Sequence, residues 1–286
     1  MPHVGISVVI PALNAEATIG DQLRAVLAQD CPVPFEVVVA DNGSRDGTRD
    51  VVQSTAQRDR RLRLVDAAHI PGEAVARNTG VDHCRSPFVA FCDADDVVRP
   101  GWLAAIYTAL DSGSHAVCVT REYWSLNPGR QACGGPQAVI THWVAGGAFA
   151  VHRDLYLQIG GFDTTVPTAA DTDFGFRLFD RTGSQPRQLR SAVVSVREPQ
   201  GAGEIFGRAR RLSRTRHTLR QKYPDQLPAK LADVMRFRMS LLRRLVMNAA
   251  SLTSSRRVGW MEILGVLVGD IEGSATGALS RIPRRP

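Results

Sequence analysis

The stretch Phe91–Pro100, FCDADDVVRP, sets three aspartates, Asp93, Asp95 and Asp96, within four positions, directly after the apolar run Pro87-Phe88-Val89-Ala90-Phe91-Cys92. An apolar run of that length predicts a buried strand. Like charges crowded at the end of a core strand repel one another unless something compensates them. Capping of a helix starting near Gly101 accounts for at most one of the three. Clustered carboxylates at a strand end make instead a hard oxygen site, suited to Mg²⁺ or Mn²⁺ with positions left open for substrate phosphates.

Outward from that stretch the chain alternates strand and helix. Strands are expected at 5–10, 35–40, 62–65 and 88–92, and helices at 15–28, 46–57 and 74–82. In 15–28, Ile19, Leu23, Val26 and Leu27 share one helical face. Alternation of this kind predicts an α/β fold with a mostly parallel sheet, whose ligands bind at the carboxyl ends of the strands. Asp41 ends one such strand and Asp93–Asp96 another, so two acidic positions share a rim. Further on, a helix is expected at 102–110, a strand at 116–120, a Gly-rich irregular then apolar segment at 134–151, helices at 154–159 and 171–180, and a last strand at 192–196.

The composition, 286 residues with 44% hydrophobic and 22% charged, is that of a globular protein. Charge is uneven. Residues 1–204 carry 18 Lys+Arg against 23 Asp+Glu, residues 205–286 carry 17 against 5, and the pI near 9.6 belongs to the tail. The cysteines Cys31, Cys84, Cys92, Cys118 and Cys133 form no CxxC and no zinc pattern; Cys84, Cys92 and Cys118, in or near apolar segments, read as small buried hydrophobes, and a reducing, cytoplasmic setting fits best. The opening MPHVGISVVIPALN lacks the charged and apolar regions of a secretory leader, and the run Trp260–Gly269 is too short to span a bilayer.

Several motifs are excluded. No GxGxxG follows the first strand, and GxxxxGK[ST] and GxSxG are missing. The loop DNGSRDGT, 41–48, fails as an EF-hand because Gly43, Arg45 and Val52 fall where ligands are needed. Asp46 there reads as a helix cap, and Gly160-Gly161 as a helix terminator and turn. From the residues alone, Asp171 reads equally as a functional carboxylate and as the cap of its own helix.

The ordered set Val8-Val9-Ile10-Pro11-x-x-Asn14, Val39-Ala40-Asp41-Asn42-Gly43-Ser44-x-Asp46-Gly47-Thr48, Ala76-Arg77-Asn78-x-Gly80 and Phe91-Cys92-Asp93-Ala94-Asp95-Asp96-x-x-x-Pro100 resembles family 2 glycosyltransferases of the GT-A fold. Gly146-Gly147-Ala148-Phe149-Ala150-Val151, Gly160-Gly161-Phe162-Asp163 and Asp171-Thr172-Asp173-Phe174-x-x-Arg177-Leu178 extend it, so that it covers about residues 5–200. The resemblance implies a catalytic domain at 1–202, with a nucleotide-sugar half to about 100 and an acceptor half from 101, followed by a basic helical region at 203–286. It further implies that Pro11, Asn14, Asp41, Arg77, Asp93, Ala94 and Asp95 serve a nucleoside-diphosphate sugar. Asp93 and Asp95, supported by Asp96, would hold Mg²⁺ or Mn²⁺, and Asp171 would be the base of an inverting transfer. Acceptor-side positions would be His142, Trp143, Gly146, Gly147 and Asp173, the last as a fallback base. Two residues depart from the family pattern: Ala170 stands where the family has Glu, and Leu13 where it commonly has an aromatic residue.

The resemblance leaves the donor as a UDP-sugar by default, with dTDP- or GDP-sugars as variants, and the acceptor as an unspecified hydroxyl on a small natural product or a cell-surface or lipid-linked glycan. Nucleotidyl transfer and sugar-nucleotide binding without turnover are the competing functions. The former expects a Gly-rich loop where Pro11-Ala12-Leu13-Asn14 stands, and only Ala170 favours the latter. The basic tail reads first as a solvated face with some arginines meeting anions, and second as a peripheral contact with an anionic inner membrane surface. Nucleic acid is not expected, because aromatic interleaving is sparse. His217 reads as structural, and oligomerisation is left open.

Overall fold

The computed structural model describes residues 4–127, 144–166, 168–225, 227, 231–249 and 254–280. His142 and Trp143 lie outside them, as does Cys133. The chain divides into two compact units, 1–198 and 199–286.

The first unit is built on one eight-stranded sheet in the order β3-β2-β1-β4-β7-β6-β8-β5. The strands are β1 (Ile6–Ala12), β2 (Phe35–Asp41), β3 (Leu62–Asp66), β4 (Phe88–Cys92), β5 (Val97–Val98), β6 (Ala116–Glu122), β7 (Ala148–His152) and β8 (Arg187–Ser195). β1 through β4 run parallel, β7 is antiparallel to both β4 and β6, β8 is parallel to β6, and β5 is antiparallel to β8. Six helices connect and flank them: α1 (Ile19–Leu27), α2 (Thr48–Ala56), α3 (Glu73–Asp82), α4 (Trp102–Asp111), α5 (Arg153–Ile159) and α6 (Ala170–Thr182). This is a mixed, mostly parallel α/β architecture. Every residue of β1, β2 and β4 is buried, as expected where helices cover both faces of a sheet.

The parallel register sets the site. Ala12 of β1 lies opposite Asp41 of β2, and Val9 opposite Phe91 of β4, so three strands end at one rim. β7 enters that rim from the other direction, with Ala148 opposite Cys92. Of the Gly-rich segment expected at 134–151, residues 134–143 lie outside the described ones, and 144–151 is a turn followed by a strand. Of its apolar part, Phe149 and Val151 pack in one cluster with Phe91, Phe162 and Phe174, while Ala150 faces the core on the other side of the sheet; the Phe91 and Phe149 rings stack 4.7 Å apart. Helix α3 is drawn close to β1 because Gly80 has no side chain: a methyl group there would stand 2.5 Å from Val9 Cγ1. Two expected helix starts move inward. The helix expected from 15 begins at Ile19, and the one expected from 46 begins at Thr48, with Asp46 Oδ1 accepting from Thr48 N at 3.1 Å. Gly160 ends α5 at φ 88°, in the left-handed region. Cys84, Cys92 and Cys118 are buried thiols, and burial raises the pKa of each.

The second unit is helical: α7 (Ala202–Lys222), α8 (Leu231–Ala249) and α9 (Ser254–Ser280). No helix among the described residues is long and apolar enough to cross a membrane. Gly265, Gly269 and Gly273 recur every four residues on α9 and face α7. Methyl groups on them would meet Phe206 O at 2.5 Å, overlap Arg210 O, and meet His217 Cδ2 at 2.5 Å. The stripe lets two backbones approach as bulkier residues would not. Where the helices converge, the buried Asp270 accepts from His217 Nε2 at 2.9 Å and from Arg238 Nε at 2.6 Å, so His217 is structural. A matched pair of variants tests this packing. Gly269→Ala is expected to destabilise the unit by about 1–3 kcal/mol, the cost of overpacking. Gly259→Ala, whose methyl group meets nothing within 4 Å, should be neutral or stabilising by up to about 1 kcal/mol. Urea midpoints of both variants report the difference.

Candidate active site

The site is assembled at the carboxyl rim around one guanidinium. Arg77 projects from α3 and is 4% exposed. Its Nη2 donates to Glu73 Oε1 at 2.5 Å and to Asp93 Oδ1 at 2.7 Å, and its guanidinium lies 5.4 Å from the centre of the Phe162 ring. Its Nε, also buried, has no hydrogen-bond partner among the described residues. Burial opposes the charge on Arg77, but Glu73, Asp93 and Asp171 outweigh burial and hold the guanidinium above its ordinary pKa.

The next residue, Asn78, locks the surroundings. It donates from Nδ2 to Phe162 O at 2.9 Å and accepts at Oδ1 from Phe162 N at 2.9 Å and from the Tyr156 hydroxyl at 2.5 Å. The consecutive residues Arg77 and Asn78 thus hold the acidic loop on one side and the turn after α5 on the other.

Asp93, Asp95 and Asp96 present carboxylate oxygens within 4.8 Å of one another. Asp93 is part-exposed, Asp95 exposed and Asp96 buried. The loop is pinned from behind. Gln22 of α1, fully buried, donates to Asp93 O at 3.0 Å and accepts from Val98 N at 3.1 Å. Arg197, just beyond β8, donates from its backbone N to Asp96 Oδ1 at 2.9 Å and from Nε to Asp95 O at 3.0 Å. Burial, and then repulsion from Asp93 and Asp95, pushes the Asp96 carboxyl up to about 8. The bond from Arg197 N and the charge of Arg121 offset only part of this. A divalent cation among these oxygens would relieve that repulsion, so the donor set fits a hard metal ion.

Two glycines join this cluster to Asp171. A methyl group on Gly146 would stand 2.7 Å from Arg77 Nη2, and one on Gly147 would overlap the Asp93 carboxylate. Gly146 N donates to Asp171 Oδ2 at 3.0 Å, while Asp171 Oδ1 accepts from Thr172 N at 2.7 Å. Asp171 therefore bonds the first turn of its own helix and also faces the site, and each oxygen retains lone-pair capacity. Ala169, just before α6, holds φ 63°, and Asn14, just after β1, holds φ 50°. These are the only non-glycine residues with positive φ among those described, and both lie in rim loops. Such conformations cost about 1–2 kcal/mol in an alanine.

The remaining expected positions fall into place unequally. Pro11 is buried in β1 opposite Ala40, and Ala94 is buried between the aspartates. Asn14 bridges loops, giving its N–H to Ser44 Oγ and accepting from Arg45 N at Oδ1, both at 2.9 Å. Asp41 is fully buried, ion-paired with Arg49 Nη1 at 2.8 Å. Asp173 is also fully buried. Its carboxylate is held by Arg177 at 2.7 Å, and Arg177 in turn bonds Ile159 O and Gly161 O, each at 2.8 Å. Asp173 thus anchors α6 to the preceding turn. Leu13 is 56% exposed beside Asn14.

Reasoning from sequence missed Gln22, Glu73, Arg49 and Arg197. Gln22 carried a signal: it lies on the apolar face of α1, with Ile19, Leu23 and Val26, where a polar side chain needs a buried partner. Arg197 follows a strand at the same rim as the aspartates.

An acidic cluster, a buried arginine and a Gly-Gly turn stand together at the carboxyl rim of this sheet, and the fold is GT-A. Among solved structures, a mannosyltransferase from Pyrobaculum calidifontis in complex with GDP-Man and Mn²⁺ aligns over 96% of this chain and 87% of its own, with a TM-score of 0.65 at 20% identity. Staphylococcus aureus TarS 1–349 in complex with UDP-GlcNAc aligns over 96% and 92%, with a TM-score of 0.56 at 17% identity. The family model for glycosyl transferase family 2 matches residues 7–156, and the chain belongs to that family. Curated relatives include the putative teichuronic acid biosynthesis glycosyltransferase TuaG of Bacillus subtilis, 38% identical over 32% of this chain and 36% of its own length. Another is the pre-mycofactocin glycosyltransferase of Mycobacterium tuberculosis, 27% identical over 68% of this chain and 43% of its own. The matches thus span less than half the length of these relatives.

The Gly-Gly turn supplies a test. Gly147→Ala is expected to displace the Asp93 carboxylate and abolish Mn²⁺-dependent stabilisation of the protein. Gly183→Ala, at a left-handed position with open space around it, should lower stability yet leave the metal response intact. Thermal melts with and without Mn²⁺ separate the two.

Proposed function

We propose that the protein transfers a sugar from a nucleoside-diphosphate donor, a UDP-sugar by default, to an acceptor hydroxyl with inversion at the anomeric carbon. The observation that carries this reading is the convergence of Asp93, Asp95, Asp96 and Arg77 with Asp171 through the Gly146–Gly147 turn. Asp93 and Asp95, with Asp96 behind them, would hold Mg²⁺ or Mn²⁺. When bound, the ion supplies Lewis-acid stabilisation of the leaving diphosphate.

The chain's own residues do the rest. Arg77 orients Asp93 and sets a fixed positive charge beside the acidic cluster. Asn14, Ser44 and Arg45 shape the loop mouth, and the Asp41–Arg49 pair forms its floor on the nucleotide side. Asp171 accepts the proton of the acceptor hydroxyl as its oxygen bonds to the anomeric carbon. The bond from that carbon to the diphosphate oxygen breaks, and the nucleoside diphosphate departs. Gly146 N holds the Asp171 side chain toward the reacting face. The nucleotide-sugar half would be residues 1 to about 100 and the acceptor half about 101–202, in a cytoplasmic setting.

The acceptor is proposed as a hydroxyl on a small natural product or on a glycan precursor. Relatives are named for both kinds: the pre-mycofactocin enzyme, and an Escherichia coli glucosyltransferase named for a GlcNAc-diphosphoundecaprenol substrate, 35% identical over 35% of this chain. The family places nucleotidyl transfer behind glycosyl transfer.

Thermal melts with UDP, GDP, dTDP, CDP and ADP, each with and without Mn²⁺, test the donor site. A nucleotide at one hundred times its Kd adds about 2.7 kcal/mol to the stability of the native state. One nucleotide is expected to stabilise in a metal-dependent way, and no response to any of them at millimolar concentration would sink the donor reading. Asp171→Asn should keep that response and lose transfer by about 10²–10⁴-fold. Transfer at the wild-type rate in this variant would remove Asp171 as the base.

A further inference from the structure

The second unit carries an apolar surface that its own packing does not use. In α8, Leu241 and Leu245 pack against Ile263 and Leu267 of α9. On a different side, Met235, Met239, Leu242 and Val246 are 52%, 61%, 44% and 74% exposed. Their spacing of four, three and four residues, at about 100° per residue, places all four within an arc of about 60°. They therefore form one continuous ridge that stands largely exposed. Arg236 and Arg243, both exposed, stand together along one flank of that ridge. Residues 205–286 as a whole hold 17 Lys+Arg against 5 Asp+Glu.

We propose that this face of α8 docks on an anionic phospholipid surface, with the Met235–Val246 ridge entering the headgroup–acyl boundary and Arg236 and Arg243 meeting lipid phosphates. The physics is that of an interfacial helix. Apolar side chains leave water, methionines adapt to an irregular medium, and arginine stems lie along the apolar layer while their guanidinium groups stay with the phosphates. Charge decides the occupant. A second copy of this chain would set Arg236 and Arg243 against the same arginines, in a region of net charge +12. An anionic surface instead gains from every one of them. The inference rests on the second unit alone and does not depend on how the donor site is read.

The full chain is tested by flotation with vesicles of phosphatidylcholine alone and of equimolar phosphatidylcholine and phosphatidylglycerol. It is expected to float with the anionic vesicles, to stay behind with the neutral ones, and to be released by high salt. The double variant Met239→Glu, Val246→Glu should lose binding by more than tenfold, and Arg236→Gln or Arg243→Gln by about fivefold per charge removed. These side chains are exposed, so circular dichroism and the melting temperature should not move. If the glutamate pair disturbs the fold, the two arginine variants still decide the matter. A chain that ignores anionic vesicles overturns the proposal, and so does wild-type binding in all these variants. A wild-type dimer, by light scattering, that the glutamate pair converts to a monomer overturns it in favour of a second copy. Donor-induced thermal shifts, read on the same samples, report on the first unit separately.

Discussion

Everything at the rim is arranged around the burial of one guanidinium. Arg77 is taken almost wholly out of water, and a buried cation without partners is expensive. Its partners are Glu73 and Asp93, and the field of Asp171 adds to theirs. The two glycines that close the site are small because the Arg77–Asp93 pair occupies the space a side chain would need. Without Asp93, Arg77 would stay buried with Glu73 as its remaining ion-pair partner, and a buried charge that loses a partner is costly. The pair thus fixes the Asp93 carboxylate, the turn that packs on it, and the backbone N–H of that turn that reaches Asp171.

The same electrostatics explain why the acidic loop is held so thoroughly by neutral or backbone groups. Arg77 compensates Asp93, whereas Asp96 accepts from the backbone N of Arg197, and burial with repulsion from Asp93 and Asp95 pushes its carboxyl up to about 8. Gln22 and Arg197 fix the loop through bonds to Asp93 O, Asp96 Oδ1 and Asp95 O. A loop clamped in this way keeps its oxygens together against their own repulsion, the preorganisation that the proposed cation site would need.

Much of this was legible in the sequence, for identifiable reasons. Fully buried parallel strands are continuous apolar runs, so β1, β2 and β4 stood out, and the acids at their ends marked the rim. β7 did not, because Gly146-Gly147 looks like loop until Asp93 and Arg77 are seen filling the space beside it. Gln22 was hidden inside an otherwise apolar face, and its partners lie 71 and 76 residues away. The glycine stripe of α9 was hidden too: Gly265, Gly269 and Gly273 lower helix propensity, and only close packing against α7 explains them. Asp173 had a legible partner in Arg177 four residues on, and that spacing on a helix predicts the ion pair that keeps it structural.

The departure at position 170 has a structural reading. Ala170 is buried in the aromatic cluster with Phe149, Phe162 and Phe174. With this backbone, a glutamate there would carry its charge into an apolar core, where an unpaired carboxylate is costly. The chain keeps the left-handed turn at Ala169, which directs the next residues into the helix, and leaves a methyl group where the family carries an acid. Under the proposed transfer, the base would then be a single carboxylate, Asp171. Asp171 is the acid in this turn that bonds the Gly146 N–H, whereas Asp173 two residues on is neutralised by Arg177. On the proposed reading, recognition of the acceptor would then rest on the surroundings of Asp171 rather than on a second acid at position 170.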